Sequence, residues 1–231
     1  MTTNVKDPAS ALGEAIGKIV ENAVCLIVEK IIKEYGYEIS KVKEFADKAG
    51  IMFKIDLPIK RGSELVALVD VKYLRYTKHA RDKGSWVIVA HNRLRASYPT
   101  IKKCIVVLAG HGWSNDAKKM VETSCIEVID ATPEALNGIL KRHGVEFKWE
   151  EKDVETPKKS WEKWQSISEE EKSQIINEII DALKLEERLR KALIDIGNPQ
   201  NDEHMKLDYI CKKNFNTLKR FIFNTLKRFI S

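Results

Sequence analysis

Three charged residues, Asp56, Asp70 and Lys72, are conspicuous because they lie within otherwise apolar segments. Asp70 and Lys72 are two residues apart in the segment ELVALVDVKYL, so both side chains would project from the same face of a β-strand. A charge on a buried strand is costly unless it has a partner or a ligand. The three residues are therefore the first candidate for a functional site.

Two carboxylates and a lysine suit metal-dependent chemistry on a phosphate. Hard cations such as Mg²⁺ bind oxygen ligands and keep several waters. Asp56, Asp70 and the carbonyl of Val71 could supply three ligands to Mg²⁺, with Mn²⁺ as a substitute, and leave positions for water and a phosphate oxygen. The metal would activate a bound water and stabilise the charge that develops on the phosphate. Lys72 could orient or deprotonate the attacking water, or neutralise the phosphate.

These residues are positioned by two predicted antiparallel strands, 51–59 and 64–74, joined by a turn at 60–63. The first strand alternates apolar and polar residues, whereas the second is nearly all apolar, as expected of a strand covered on both faces. If the turn centres near Ser63, Asp56 lies almost opposite Asp70. A slip of one residue in the register would move Asp56 to the other face of the sheet.

The remaining pattern predicts an α/β fold, with a mixed sheet flanked by helices and a helical C-terminal extension. A long amphipathic helix at 9–34 precedes the two strands. We further predict strands at 37–40, 102–109 and 125–129, and helices at 41–48, 86–98, 116–123, 133–143 and 168–196. The run from Trp86 to Val89 would also suit a strand. This pattern divides the chain into a core at 1–145, a linker at 146–167 and a helical region at 168–231. For the helical region three roles are open, which are covering the core, forming a dimer and contacting DNA.

Positive charge is concentrated next to the candidate site. Residues 72–103 contain nine Lys or Arg and one acid, Asp82, for a net charge of +8. Such a segment favours a polyanionic partner over an ordinary soluble surface. The residues that we predict to contact DNA are Arg75, Lys78, His79, Arg81, Lys83, Arg93 and Arg95.

Composition excludes several other classes. No segment reaches the ~18 uncharged apolar residues of a membrane span, so we expect no membrane partner. The four cysteines, at 25, 104, 125 and 211, are scattered, and we expect free thiols and a cytoplasmic protein. The histidines lack the spacing of a zinc site. Near the C-terminus FNTLKRFI occurs twice in tandem, at 215–222 and 223–230; a duplication or artefact and a basic amphipathic helix both remain open.

The chain resembles the PD-(D/E)XK nuclease superfamily over roughly residues 10–143. The matching residues are Asp56 and the run Asp70-Val71-Lys72, preceded by a helix that carries an acid. The resemblance implies the restriction-endonuclease-like fold, Mg²⁺ bound by the two aspartates, and a lysine that acts on water. It also implies a glutamate from the first helix, for which Glu21 is our choice and Glu14 the alternative. The sequence departs from the pattern because Ile55 rather than proline precedes Asp56.

The resemblance implies a Mg²⁺-dependent endodeoxyribonuclease that cleaves double-stranded DNA. A type II restriction enzyme acting as a homodimer is the expected subclass, because two-fold symmetric cutting requires two copies. The alternatives are a structure-selective repair or Holliday-junction nuclease of the same fold, and a catalytically silent DNA-binding protein. The recognition sequence and the position of the cut are left open.

Overall fold

The computed structural model describes residues 7–150 and 152–196. Within these ranges the strands are β1 (Glu38–Ile39), β2 (Glu44–Ala46), β3 (Met52–Lys54), β4 (Leu57–Arg61), β5 (Glu64–Tyr73), β6 (Lys103–Ala109) and β7 (Glu127–Ala131). The helices are α1 (Pro8–Glu34), α2 (Ala80–Ser97), α3 (Asn115–Glu122), α4 (Pro133–Arg142), α5 (Glu155–Ser166), α6 (Glu169–Ala182) and α7 (Leu185–Leu193). Single 3₁₀ turns occupy Thr77–His79 and Ile194–Ile196.

Five strands form one mixed sheet in the order β1-β4-β5-β6-β7. The pairs β1–β4 and β4–β5 are antiparallel, whereas β5–β6 and β6–β7 are parallel. Parallel neighbours need a crossover, and α2 and α3 provide the two crossovers. The predicted α/β class, with a mixed sheet flanked by helices, is therefore confirmed.

Each face of the sheet is covered by its own hydrophobic cluster. Ala67 and Val69 of β5 pack with α1, α5, α6 and α7 on one face. Leu68, one residue out of phase, packs with α2 and α3 on the other face. Both faces of β5 are thus covered, which explains its apolar run. Asp70 and Lys72 share the parity of Leu68 and belong to the α2 face.

The first helix forms as its sequence predicts. Asp7 caps it, because its side chain accepts a hydrogen bond from Ser10 N at 3.0 Å, and Pro8 occupies the first turn. Gly36 follows the helix with φ +71°, a left-handed conformation that favours glycine. The predicted apolar stripe is buried at Leu12, Ile16, Ile19, Val20, Ala23, Val24, Ile27 and Ile31.

The hairpin differs from the prediction at its first strand. The predicted helix at 41–48 is wrong, because this segment contains β2, which pairs with β3 through Phe45 and Phe53. The predicted strand 51–59 is divided into β3 and β4, which belong to different sheets. The break lies at Asp56, whose backbone N–H donates to the side chain of Asp70 at 2.9 Å rather than to a backbone carbonyl.

The region after residue 145 is more closely joined to the core than predicted. The range 146–167 contains α5, whose Trp164 is buried in the same cluster as α1, so this part of the chain is not an extended linker. The predicted helix at 168–196 is interrupted by Lys184, which has φ +48°. Ile175 of α6 and Leu189 of α7 are fully buried in that cluster, so the described part of the C-terminal region covers the core.

Three further expectations have direct outcomes. Within the described ranges no helix combines the length and apolarity needed to cross a bilayer. Cys25 and Cys104 are free thiols, as expected, but Cys125 is disulfide-bonded, so the expectation of free thiols is wrong at that position. Cys211 and the FNTLKRFI repeat lie outside the described residues.

Candidate functional site

The three charged residues predicted from sequence lie together on the α2 face of the sheet. Asp70 and Lys72 are on β5, and Asp56 occupies the bend between β3 and β4. The register pairs Leu57 with Val69, which places the preceding Asp56 beside Asp70. The expected convergence of two carboxylates and one lysine is therefore present in the structure.

Lys72 bridges the two aspartates. Its Nζ lies 2.8 Å from Asp56 Oδ2 and 3.0 Å from Asp70 Oδ1. Backbone groups fix the same oxygens, because Asp56 N donates to Asp70 Oδ1 and Val71 N donates to Asp56 Oδ2, both at 2.9 Å. Trp113 Nε1, in the segment between β6 and α3, donates to the carbonyl of Lys72 at 3.0 Å. The carboxylates are thus held by charge and by the main chain.

A histidine completes the cluster. His91, in the middle of α2, has its Nε2 atom 2.8 Å from Asp70 Oδ2. The side chains of His91 and Asp70 are 0% and 2% exposed, whereas those of Asp56 and Lys72 are 21% and 27% exposed. The cluster therefore has a dry base, formed by His91 and Asp70, and a rim that solvent reaches, formed by Asp56 and Lys72.

Burial and neighbouring charges give the four groups distinct protonation behaviour. Burial alone would raise the pKa of Asp70, but the hydrogen bond with His91 and the charge of Lys72 hold that pKa well below its ordinary value. Burial and the charge of Asp70 raise the pKa of Asp56, against the opposing effect of Lys72. Asp70 is therefore the fixed anion of the cluster, and Asp56 is the carboxylate that takes up a proton more easily.

The two basic groups are held in their charged forms. Burial would lower the pKa of Lys72, but the charges of Asp70 and Asp56 outweigh this and raise it above its ordinary value. Burial would likewise lower the pKa of His91, but the hydrogen bond with Asp70 raises it to about 9. At neutral pH Lys72 is an ammonium group, which supplies positive charge and hydrogen-bond donors.

The donor set suits a hard cation only in part. Asp56 and Asp70 present carboxylate oxygens to one positive charge, which is the ligand chemistry that Mg²⁺ prefers. Among the described residues, however, no three His, Cys, Asp or Glu side chains are grouped so that they could hold a metal ion. A cation at this site would rely on two aspartates, backbone oxygens such as the Val71 carbonyl, and water.

The predicted helix acid is not part of that group. Glu21 Oε1 accepts a hydrogen bond from Lys18 on the same helix at 2.8 Å. Glu14, the alternative, is exposed. Both belong to α1, which packs on the sheet face opposite Asp70 and His91. Neither glutamate is grouped with the two aspartates as a metal site.

The predicted DNA contacts fall into two sets. The first set lies between β5 and the first turns of α2. Arg75 of this set is partly buried, and its Cζ atom lies 3.9 Å from the ring centre of Trp149. Arg81 also makes a loose ion pair with Asp116 at 3.9 Å, with both side chains at least 80% exposed. The exposed residues of this first set are Lys78, His79, Arg81 and Lys83.

The two arginines further along α2 have structural partners. Arg93 Nε donates to the buried carboxylate of Asp47, which joins α2 to the loop between β2 and β3. Arg95 donates to the backbone carbonyl of Cys125 at 3.0 Å and is partly buried. Both arginines therefore fasten α2 to the rest of the fold.

Sequence reasoning missed His91 as a site residue. The buried positions of α2 include Val87, Ala90 and Leu94 at helical spacing, and His91 lies in the same stripe. A titratable residue in an apolar helical stripe is a signal for a buried polar contact. What the sequence could not provide was the partner, because Asp70 is 21 positions away in the chain.

Comparison with known proteins adds no family assignment. No protein-family model, no curated protein and no solved structure matches this chain. Functional inference therefore rests on the residues and their geometry.

Proposed function

We propose that this protein is a Mg²⁺-dependent endodeoxyribonuclease with a restriction-endonuclease-like fold. The observation that carries the proposal is the bridge from Lys72 to both Asp56 and Asp70. These are the residues on which the resemblance to the PD-(D/E)XK nucleases rests. They are the first acid, the second acid and the lysine of that motif. Asp56 directly precedes β4, and Asp70 and Lys72 lie on the adjacent strand β5, in the order that the motif requires.

In this proposal the two aspartates and the Val71 carbonyl would hold Mg²⁺, which would supply a Lewis acid and an activated water. Asp70 remains ionised because its pKa is held low, so its negative charge is available without a prior deprotonation step. Lys72 is charged, which favours orienting the water or neutralising a phosphate oxygen over removing a proton. The partial exposure of Asp56 and Lys72 leaves the rim open to a phosphate.

Double-stranded DNA is the proposed substrate because of the charge that flanks the site. Lys78, His79, Arg81 and Lys83 are exposed where the chain leaves β5 and enters α2, a few residues after Lys72. Phosphate contacts of this kind position a duplex without reading its sequence. A homodimer that makes two symmetric cuts, as in a type II restriction enzyme, is the form of the proposal that would give sequence-specific products.

Plasmid cleavage tests the proposal. The wild-type protein is incubated with plasmid DNA and Mg²⁺, beside Asp70→Asn and a matched control, Asp130→Asn, which removes a carboxylate paired with Lys118 elsewhere in the sheet. We expect Asp70→Asn to lose at least about 100-fold in rate and Asp130→Asn to cleave normally. Discrete bands indicate a sequence-specific enzyme, a smear a nonspecific one, and preferential cutting of branched junctions a structure-selective one.

The second candidate is a catalytically silent DNA-binding protein. It is favoured by the lack of a third acidic ligand for a cation among the described residues. This candidate predicts that wild type and Asp70→Asn bind DNA alike and that neither cleaves it. Failure of the folded wild-type protein to cleave any DNA with Mg²⁺ or Mn²⁺ would overturn the enzyme proposal.

A further inference from the structure

We infer that His91 is a positioning residue of the proposed nuclease site: it fixes Asp70 so that only one oxygen of that carboxylate faces Asp56 and Lys72. This inference rests on the proposed function, because it concerns how the second acid of the motif is presented to a cation. It goes beyond the motif, since His91 belongs neither to the two acids nor to the lysine.

The hydrogen bond between His91 and Asp70 is shielded from water. Nε2 lies 2.8 Å from Asp70 Oδ2, and neither side chain is more than 2% exposed. An ionised carboxylate only accepts hydrogen bonds, so Nε2 carries the proton and donates it. A bond of this kind between a buried donor and a charged acceptor is among the stronger ones in proteins.

The other oxygen of Asp70 faces the rim of the site. Oδ1 accepts hydrogen bonds from Asp56 N at 2.9 Å and from Lys72 Nζ at 3.0 Å. Three donors from three elements, α2, the β3–β4 bend and β5, therefore determine the rotation of one carboxylate group. Because His91 holds Oδ2 in the dry base of the cluster, Oδ1 is the oxygen of Asp70 that faces the rim, where a cation would have access to it.

Packing holds the imidazole in place. His91 lies between Ala90 and Leu94 in the buried stripe of α2, and its own exposure is zero. Its Nδ1 atom is buried and has no hydrogen-bond partner in the described part of the chain. The Cys104 thiol also lies next to the ring, and the hydrogen bond through Nε2 links the ring directly to the carboxylate. Partners that orient a ligand in this way typically change metal affinity or activity by about 10- to 100-fold when they are removed.

The test compares two substitutions of His91 that differ in the donor they keep. His91→Leu removes the donor at similar bulk, and His91→Gln can place an amide N–H near the position of Nε2. We measure the Mg²⁺ concentration for half-maximal cleavage and, independently of activity, Mn²⁺ binding by calorimetry. For His91→Leu we expect the half-maximal Mg²⁺ concentration and the dissociation constant for Mn²⁺ each to rise by about 10-fold or more, with DNA binding in Ca²⁺ unchanged. His91→Gln should recover most of the loss.

Leu94→Ala serves as the matched control, because it weakens the packing of the same helix face without removing a donor to Asp70. A folded His91→Leu with wild-type Mn²⁺ affinity would overturn the inference, and so would a Leu94→Ala variant with an equal metal defect. If His91→Leu does not fold, nitrogen NMR of the wild-type protein decides: a ring that lacks a proton on Nε2 contradicts the assignment. A wild-type protein that binds no Mn²⁺ and cleaves no DNA removes the proposed function itself.

Discussion

Two clusters in this protein combine a histidine with two carboxylates and a cationic side chain, but in very different surroundings. The sheet cluster contains Asp56, Asp70, Lys72 and His91. The helix cluster contains Arg142, His143, Glu171 and Glu178 and joins the end of α4 to α6. In the helix cluster the two ring nitrogens of His143 lie 2.9 Å from Glu171 and 3.1 Å from Glu178.

The two clusters differ in access to water. Glu171 and Glu178 are 35% and 24% exposed, and Arg142 is 62% exposed. Solvent can therefore replace any partner that is lost, and such pairs contribute about 0–1 kcal/mol. In the sheet cluster Asp70 and His91 are excluded from water, so a lost partner leaves a buried charge.

The comparison separates a cluster whose presence can be explained by its contribution to stability from one whose presence cannot. The helix cluster fastens two surface helices at little desolvation cost. The sheet cluster lies in a position where apolar residues would pack as well, since β5 is apolar on both sides of it. Buried ion pairs are often no more stabilising than the apolar residues that could replace them. The sheet cluster is open at Asp56 and Lys72 and dry at Asp70, and the ligand of the proposed function would account for the cost of this arrangement.

Removal of Lys72 should have the largest effect on stability. In Lys72→Met the carboxylates of Asp56 and Asp70 face each other without the ammonium group. We expect the free energy of unfolding to fall by about 3 kcal/mol, as is usual when one partner of a buried pair is removed. Urea denaturation at neutral pH in EDTA measures it. Lys118→Met, which leaves the more exposed Asp130 unpaired, is the control and should lose less than half as much. Equal losses would mean that burial does not distinguish the two sites.

The pH dependence of stability should identify His91 as part of the sheet cluster. Its pKa is raised in the folded state to about 9, so its contribution is complete below the unfolded pKa of about 6.5 and is lost as the pH rises through about 9. Asp70 stays ionised throughout, because its pKa is held low. We therefore expect the stability of the metal-free protein to decline across this alkaline window, and His91→Gln to flatten the decline.

The Cys104 thiol needs a control in this experiment. It is buried next to the ring, and burial, which would raise its pKa, is outweighed by the neighbouring His91 and Arg95 side chains, which lower it. Both proteins are therefore compared in a Cys104→Ala background and unfolded with urea at each pH. If the free energy of unfolding of His91→Gln declines equally steeply with pH, groups other than His91 cause the decline.

The parts of this fold that sequence could predict are those set by local pattern. The stripe of α1 and the apolar run of β5 follow from periodicity, and the spacing of Asp70 and Lys72 placed both on one face. The position of Asp56 depended on register. The turn pairs Arg61 with Glu64, and an irregularity between Ile59 and Lys60 then shifts the pairing by one residue, which brings Asp56 beside Asp70. The neighbouring segment around Phe45 was misassigned because its strand forms by pairing with Phe53 rather than by local preference.

The rest depended on how α2 lies on the sheet. The contact of His91 with Asp70 joins residues 21 apart in the chain, and the pairing of Arg93 with Asp47 joins residues 46 apart. No pattern in the sequence predicts either of these two contacts. The charge of Arg93 predicted a DNA contact, which stays a prediction, but not its ion pair with a buried acid in a distant loop. Charge therefore identified the basic segment, and only the docked helix shows which of its cations also pair with distant parts of the fold.

The smallest effect is expected in the helix cluster. His143→Gln removes the ring between Glu171 and Glu178 but leaves both carboxylates in contact with water, and Arg142 still pairs with Glu178. We expect a loss of about 0.5–1 kcal/mol in the free energy of unfolding, measured by urea denaturation, and no change in DNA cleavage. The loss should shrink further in 1 M NaCl, because salt screens exposed charges more than buried ones, whereas the loss in Lys72→Met should persist. A salt-resistant loss in His143→Gln as large as that of Lys72→Met would show that the two clusters are energetically alike, and the argument from burial to function at the sheet cluster would then lose its basis.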